Sequence, residues 1–467
     1  MKKILSTIMV AIMVIGLTFG IVGAKNHLTY SSYKEQNVYI DQGLTVEQID
    51  KLADLIIDAF KQEAKTYDRE MTAGQIARIW YDDASSELAL KIFDKMLAKG
   101  LNIIPVVAPY DNIWNAFHDK STDEQYYWVP PGSKALAENV NYQISLNKVS
   151  QDNELMMVYN SDSDKVLMER MAKGEFLEML CFAPNAQHIA ISKLGKEKYF
   201  EQFVKAFMLD KEDPVAEFAN VRNYKQEIIN WLQSLNLDSI KINSDDSEIK
   251  VKIGDNRTWL QAIAANMPSY EIYISPDWRT AQGTFCSRLP AYFNDNPVTS
   301  SVEFIFKDGT VTEKTIDDEV SGGYATKVMD MFKDAGFYRM GEIAFTDKRL
   351  SRIEQSLGDG ITNENISGTW HMALGMSLSD CYIGKDEPDY EKLGLNIDCP
   401  LHVDFVDDSA NLTVTGRSKD GKEFIVFQNG QFNYEFHSPT ATKTTYSFGN
   451  NKANPFIFQS PGLMQTK

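Results

Sequence analysis

Four stretches in the second half of this chain place ionisable side chains where an ordinary strand would be wholly apolar. They are Asn266-Met267-Pro268-Ser269-Tyr270-Glu271-Ile272-Tyr273, Gly341-Glu342-Ile343-Ala344-Phe345, Trp370-His371-Met372-Ala373-Leu374-Gly375 and Cys399-Pro400-Leu401-His402-Val403-Asp404-Phe405-Val406. A carboxylate or imidazole in such surroundings needs a partner or a metal, because moving it out of water alone is costly. In the last stretch the i, i+2 spacing of His402 and Asp404 on a strand puts both side chains on one face. A fold that buries these segments must therefore bring their ionisable groups together.

The surrounding pattern predicts two domains. Thr45 and Gln48 form a capping box ahead of a helical stripe at Ile49, Leu52, Ala53, Ile56, Ile57 and Phe60. A strand at 75–81, a helix that begins near Ser86 and stops at Gly100, and a buried strand at 101–107 make a βαβ unit. The rhythm continues with a strand at 154–159, a helix at 163–172, a strand at 176–182 and helices at 199–208 and 214–235. Residues 25–236 are thus expected to form an α/β domain with a mainly parallel sheet. Residues 237–467 read as an α+β domain with mixed or antiparallel strands. Hairpins there join Ile240 and Ile242 to Ile249, Val251 and Ile253, and Val302–Phe306 to Val311 through Asp308-Gly309. Asp420-Gly421 and Asn429-Gly430 mark further turns, and a helix is expected from Tyr324 to Lys333.

Several function classes drop out. A net charge of −18 disfavours nucleic acid, whose binding depends on cationic contacts to phosphates. No Gly-x-Gly-x-x-Gly or phosphate loop follows the first strands, so a nucleotide site has no support. His27, His118 and His188 stand alone and are read as structural or surface residues. At the N-terminus Lys2-Lys3 precedes an uncharged run, Ile4 to Val22, followed by Gly23-Ala24. Residues 1–24 are expected to be an export signal, with residues 4–22 an alternative membrane anchor, which puts the protein outside the cytoplasm. Four cysteines permit disulfides there, and Cys381 with Cys399 is the only pair close in sequence.

Glu271, Glu342, His371, His402 and Asp404 make a ligand set of three carboxylates and two imidazoles. That set suits two divalent ions such as zinc, cobalt, manganese or magnesium. Two such ions spanned by one carboxylate polarise a carbonyl and activate water, which is the chemistry of amide hydrolysis, and a nearby carboxylate can carry the proton to the leaving amine.

These four segments, in this order and with 29 and 31 positions separating the ligands at 342, 371 and 402, resemble the motifs of the thermophilic-type metalloaminopeptidases, the family of aminopeptidases T, S and II. Similarity extends upstream through Lys211-Glu212-Asp213-Pro214-Val215-Ala216 and more loosely to about Thr45. The resemblance implies a two-domain fold, a pair of divalent ions on those five residues, release of N-terminal residues from peptides, and a homodimer enclosing the active sites. Glu342 is chosen as the bridging, catalytic carboxylate because its segment has the fewest other polar groups.

Three departures stand out. Leu378 occupies the position where the family usually has a Tyr that assists the tetrahedral intermediate, and only Tyr382 or Tyr270 is at hand to replace it. Tyr270 stands where the family has Gly, and relatives are mostly intracellular. The alternative to an exported aminopeptidase is therefore a catalytically impaired relative, a metal-stabilised peptide-binding or envelope protein.

Overall fold

The computed structural model describes residues 43–107, 120, 122, 132–146, 162–293, 296–384 and 388–436. The export run, His27, His118 and the expected strand at 154–159 lie outside the described residues. The helix Val46–Thr66 opens the described chain, and its capping box is formed as expected: Gln48 N–H donates to Thr45 Oγ1 while Thr45 N–H donates to Gln48 Oε1. Its apolar stripe, Ile49, Leu52, Ile56 and Phe60, is fully buried.

A five-stranded parallel sheet lies beside this helix, in the order Asn102–Val107, Ile76–Tyr81, Val140–Leu146, Leu177–Cys181, Asn266–Met267. The βαβ unit expected from sequence is present, with the helix Ser86–Ala98 between its strands, but its second strand, expected to be buried, lies at the sheet edge and is partly to fully exposed along its length. The cap position is Ser85, whose hydroxyl turns instead to Asp82 Oδ1 at 2.7 Å. The central strand Val140–Leu146 was not anticipated, although its buried Val140, Tyr142, Ile144 and Leu146 alternate strictly with less buried Asn141, Gln143 and Ser145. Its last partner, Asn266–Met267, comes from beyond residue 236, so the parallel sheet draws one short strand from the second half of the chain.

Among the described residues the second half is built mainly from two large antiparallel sheets, with a two-stranded ribbon, Tyr292–Phe293 and Asn296–Pro297, beside them. Eight strands run from the hairpin Ser301–Lys307/Thr310–Asp317 through Asp277–Ser287, Glu248–Lys252, Leu237–Asn243, Thr413–Ser418 and Glu423–Gln428 to Gln431–Phe432. The hairpins and turns at Asp308-Gly309, Asp420-Gly421 and Asn429-Gly430 are where the sequence put them, with Asp308 and Asn429 in the left-handed region that such turns demand. The helix near 324 is shorter than expected, Tyr324–Met331.

Four further strands, in the order His402–Asp407, Trp370–Gly375, Met340–Thr346, Glu271–Ile274, make the sheet that matters for function. Alternate residues on it divide sharply. Trp370 and Phe405 point to the eight-stranded sheet and meet Phe285 and Phe304 edge-on, at ring separations of 5.2 and 5.0 Å. That aromatic layer fixes which face is left for the residues between them. All four cysteines are buried and free; Cys381 Sγ accepts from Ser275 N–H at 3.3 Å, and no Cys381–Cys399 bridge forms.

Candidate metal centre

In an antiparallel pair, directly opposed residues project to the same side. The register pairs Thr346 with Glu271, Ala344 with both Tyr273 and His371, Glu342 with Ala373, Ala373 with Asp404, and Gly375 with His402. All five residues singled out from sequence therefore share one face of the four-stranded sheet. Ala344, Ala373 and Gly375 separate them with almost no side chain, so the longer polar groups converge over small residues.

The side chains meet in two groups. Donor atoms of Glu271, Glu342 and His371 all lie within 4.8 Å of one another, as do those of Glu342, His402 and Asp404. Glu342 belongs to both. His371 Nε2 is 3.4 Å from Glu271 Oε2 and 3.8 Å from Asp404 Oδ1. His402 Nε2 is 2.9 Å from Glu342 Oε2 and 3.4 Å from Asp404 Oδ1. His402 Nδ1 is 2.8 Å from the Met376 carbonyl, which can only accept. With one proton held on Nδ1, Nε2 is the nitrogen that turns a lone pair toward a metal when a cation displaces its own proton.

The electrostatics of the site favour cations. Burial raises the Glu271 carboxyl well above its ordinary range, and the neighbouring Glu342 and Asp404 raise it further. Burial works against a charged His402, yet Asp404 and Glu342 hold its pKa well above normal, and His402 in turn keeps Asp404 low against the cost of its burial. Packing carboxylates this tightly out of water is unfavourable unless cations join them. His371 Nδ1 and Asp404 Oδ1 are buried without a conventional hydrogen bond. The donor set, its carboxylate excess and these unmet atoms fit divalent cations with oxygen and nitrogen ligands.

One participant was not foreseen. Glu364, on the short helix Gly360–Glu364, is buried beside Asp404, and its Oε1 makes no hydrogen bond. Burial, then Asp404, Glu271 and Glu342, drive its carboxyl well above the ordinary range. Asn363-Glu364-Asn365 reads in sequence as a polar turn, so no pattern marked it. Of the two tyrosines proposed to replace the family residue, Tyr270 is committed elsewhere. Tyr270 is buried and its hydroxyl donates to the Ala206 carbonyl at 2.6 Å. Leu378 is buried among Ala262, Ala265, Tyr273, Ala344 and Cys381. Tyr273, on the ligand face, donates to Asp380 Oδ2 at 3.2 Å. His188 is a core residue, fully buried, and its pKa is pushed down to about 4 by burial.

Comparison with known proteins points to a metalloprotease family. A family model described as thermophilic metalloprotease (M29) matches residues 45–432. Aminopeptidase 2 of Geobacillus stearothermophilus is 26% identical over 255 residues, 51% of this chain and 59% of that protein. Aminopeptidase PepS of Streptococcus thermophilus is 28% identical over 256 residues, 50% of this chain and 58% of that protein. The chain thus spans less than two thirds of the length of the curated relatives it matches. Wild-type AmpT from Thermus thermophilus superposes with a TM-score of 0.65 at 15% identity, covering 83% of this chain and 99% of that one, a likeness of fold.

Proposed function

Because the chain belongs to the thermophilic metalloprotease (M29) family, we propose that it is a metal-dependent aminopeptidase that removes N-terminal residues from peptides at a dinuclear site. The observation that carries this reading is the sharing of Glu342 between two ligand groups on one sheet face. Glu271, Glu342 and His371 would hold one divalent ion, and Glu342, His402 and Asp404 the other. Zinc, cobalt, manganese or magnesium bound there supplies Lewis acidity toward a peptide carbonyl.

The protein's own groups supply the rest. The Met376 carbonyl keeps the His402 proton on Nδ1 and the ring fixed. Glu342 is placed by the strand Met340–Thr346, whose alternate residues Ile343 and Phe345 are locked in the core, so its carboxylate has little freedom to leave the centre. A carboxylate of this centre with an oxygen left uncoordinated can take a proton from an attacking water and pass it to the leaving amine. Near-complete burial of Glu271, Glu342 and His371 excludes bulk water, which strengthens each of these interactions. The family resemblance extends the proposal to a homodimer, and the apolar run at residues 4–22 extends it to an exported or membrane-anchored protein.

One observation favours a second reading. Leu378 cannot donate a hydrogen bond, and loss of an oxyanion donor costs about two to three orders of magnitude in turnover. A metal-stabilised, catalytically impaired binding protein is the reading this supports. An aminopeptidase assay across a panel of N-terminal residues, run with chelator and after divalent-ion reloading, separates the two. Cleavage that chelation removes and ions restore supports the enzyme; a metal-loaded wild type that cleaves none of the panel supports the binder.

A further inference from the structure

The long helix Pro214–Ser234 presents a buried stripe of Phe218, Val221, Ile228, Ile229 and Leu232, and Lys225 lies on that same stripe. Lys225 is only 1% exposed. Among the described residues its ammonium meets no carboxylate directly. It donates to two backbone carbonyls, Ala262 O and Ser269 O, each at 3.1 Å. Those carbonyls belong to the stretch that ends in Glu271, and Ser269 is two residues from that ligand.

A buried lysine is expensive, and an apolar side chain of similar length would fit this helical stripe at lower cost. The stretch it grips contains the short strand Asn266–Met267 and Pro268, and is otherwise irregular. The parallel sheet holds its first part, where Leu180 N–H donates to Ala265 O and Phe182 N–H to Met267 O at 2.8 and 2.9 Å. Past Met267, Lys225 grips Ser269 O and Asn365 Oδ1 accepts from Tyr270 N–H at 2.5 Å, the two contacts nearest the Glu271 backbone. Glu271 opens a strand of only four residues, whereas Glu342, His371 and Asp404 lie inside strands of six or seven, and His402, which also opens its strand, has its ring held by the Met376 carbonyl at 2.8 Å.

We infer that Lys225 is a positioning residue for the metal centre, tying the 262–271 stretch to the helix so that Glu271 reaches the ion it shares with Glu342 and His371. The inference rests on the dinuclear reading above. Its signature is asymmetry: the Glu271 side of the centre depends on Lys225, and the His402/Asp404 side does not. A charge effect alone has the opposite sign, because removing a cation near two divalent ions tightens both.

The test is a calorimetric titration of the chelator-stripped full chain with zinc alone. Glu271→Gln identifies which binding step belongs to the Glu271 side. Lys225→Met is expected to weaken that same step by about tenfold to a hundredfold, with the other step unchanged. Lys225→Gln keeps an N–H donor without the charge and is expected to fall between Met and wild type; it also serves if Lys225→Met is recovered unfolded by circular dichroism. Both steps unchanged, both weakened equally, or either tightened overturns the inference. A wild type that binds no zinc refutes the metal-centre reading, and the inference falls with it.

Discussion

Two sheets of this molecule each carry a row of polar side chains across one face, and the rows behave differently. In the parallel sheet, register sets Arg78 beside Gln143 and Gln143 beside Glu178 on neighbouring strands. Arg78 donates to the Gln143 side-chain oxygen, and the Gln143 amide donates to Glu178. Donor meets acceptor at each step, and one cation faces one carboxyl. In the four-stranded sheet, Glu271, Glu342 and Asp404, with Glu364 above them, outnumber the two imidazoles, and buried lone pairs go unmet. Burial and hydrogen bonding are common to both rows. What marks a centre built for cations is the imbalance of charge.

The largest expected contrast is between the shared ligand and its counterpart in the balanced row. Glu342→Ala should abolish ion-dependent peptide cleavage, a fall of at least about a thousandfold, and prevent uptake of a second ion. Glu178→Gln should leave both untouched. Peptide release assays and metal analysis on the same preparations check the pair, and an equal loss in both variants would erase the distinction between the rows.

Ions that bind only the folded chain stabilise it, by about 2.7 kcal/mol at a concentration one hundred times Kd. Wild type and Glu178→Gln should therefore both melt several degrees higher when loaded than when stripped. Glu342→Ala should show little of that increment. Differential scanning calorimetry with and without zinc measures it.

Leu378→Tyr sharpens the question of the missing hydroxyl. Leu378 is 1% exposed and belongs to one buried cluster with Ala262, Ala265, Tyr273, Ala344 and Cys381, so a ring there overpacks the site and should cost about 1–3 kcal/mol in denaturant unfolding. Turnover is expected to stay at or below that of the wild type. A large gain in kcat would show instead that the pocket accepts the ring and that its hydroxyl was the absent element.

The smallest effect is a pH dependence in the balanced row. Burial raises the Glu178 carboxyl to about 7 from an ordinary value of 4.5. Between those two values the folded chain holds a proton that the unfolded chain has lost, so this residue's contribution to stability falls as pH rises through that window. Glu178→Gln should flatten that part of the melting temperature against pH. An unchanged slope would mean that Glu178 keeps its charge through the Arg78 row.

Much of the centre was legible before any coordinates. His402 and Asp404 share a face because strand periodicity leaves no alternative, and Glu271, Glu342 and His371 each interrupted an apolar run. What periodicity does not encode is which strands lie side by side, so their convergence needed the register. Glu364 was missed because a polar turn looks solvated in sequence. Lys225 sat in plain view on the apolar stripe of its helix, at the spacing of Val221 and Ile228, and a test for charges within buried stripes would have flagged it. The strand Val140–Leu146 alternates buried and half-buried residues, whereas a strand of a parallel sheet more often reads as a continuous apolar run. Its polar positions are the ones that carry Gln143 in the balanced row.

The most direct measurement is metal stoichiometry: equilibrium dialysis of the stripped full chain against zinc, followed by elemental analysis, for wild type and Glu342→Ala side by side. The account predicts two ions per wild-type chain and at most one in the variant. A wild type that takes up none, or a variant that retains both, would contradict it.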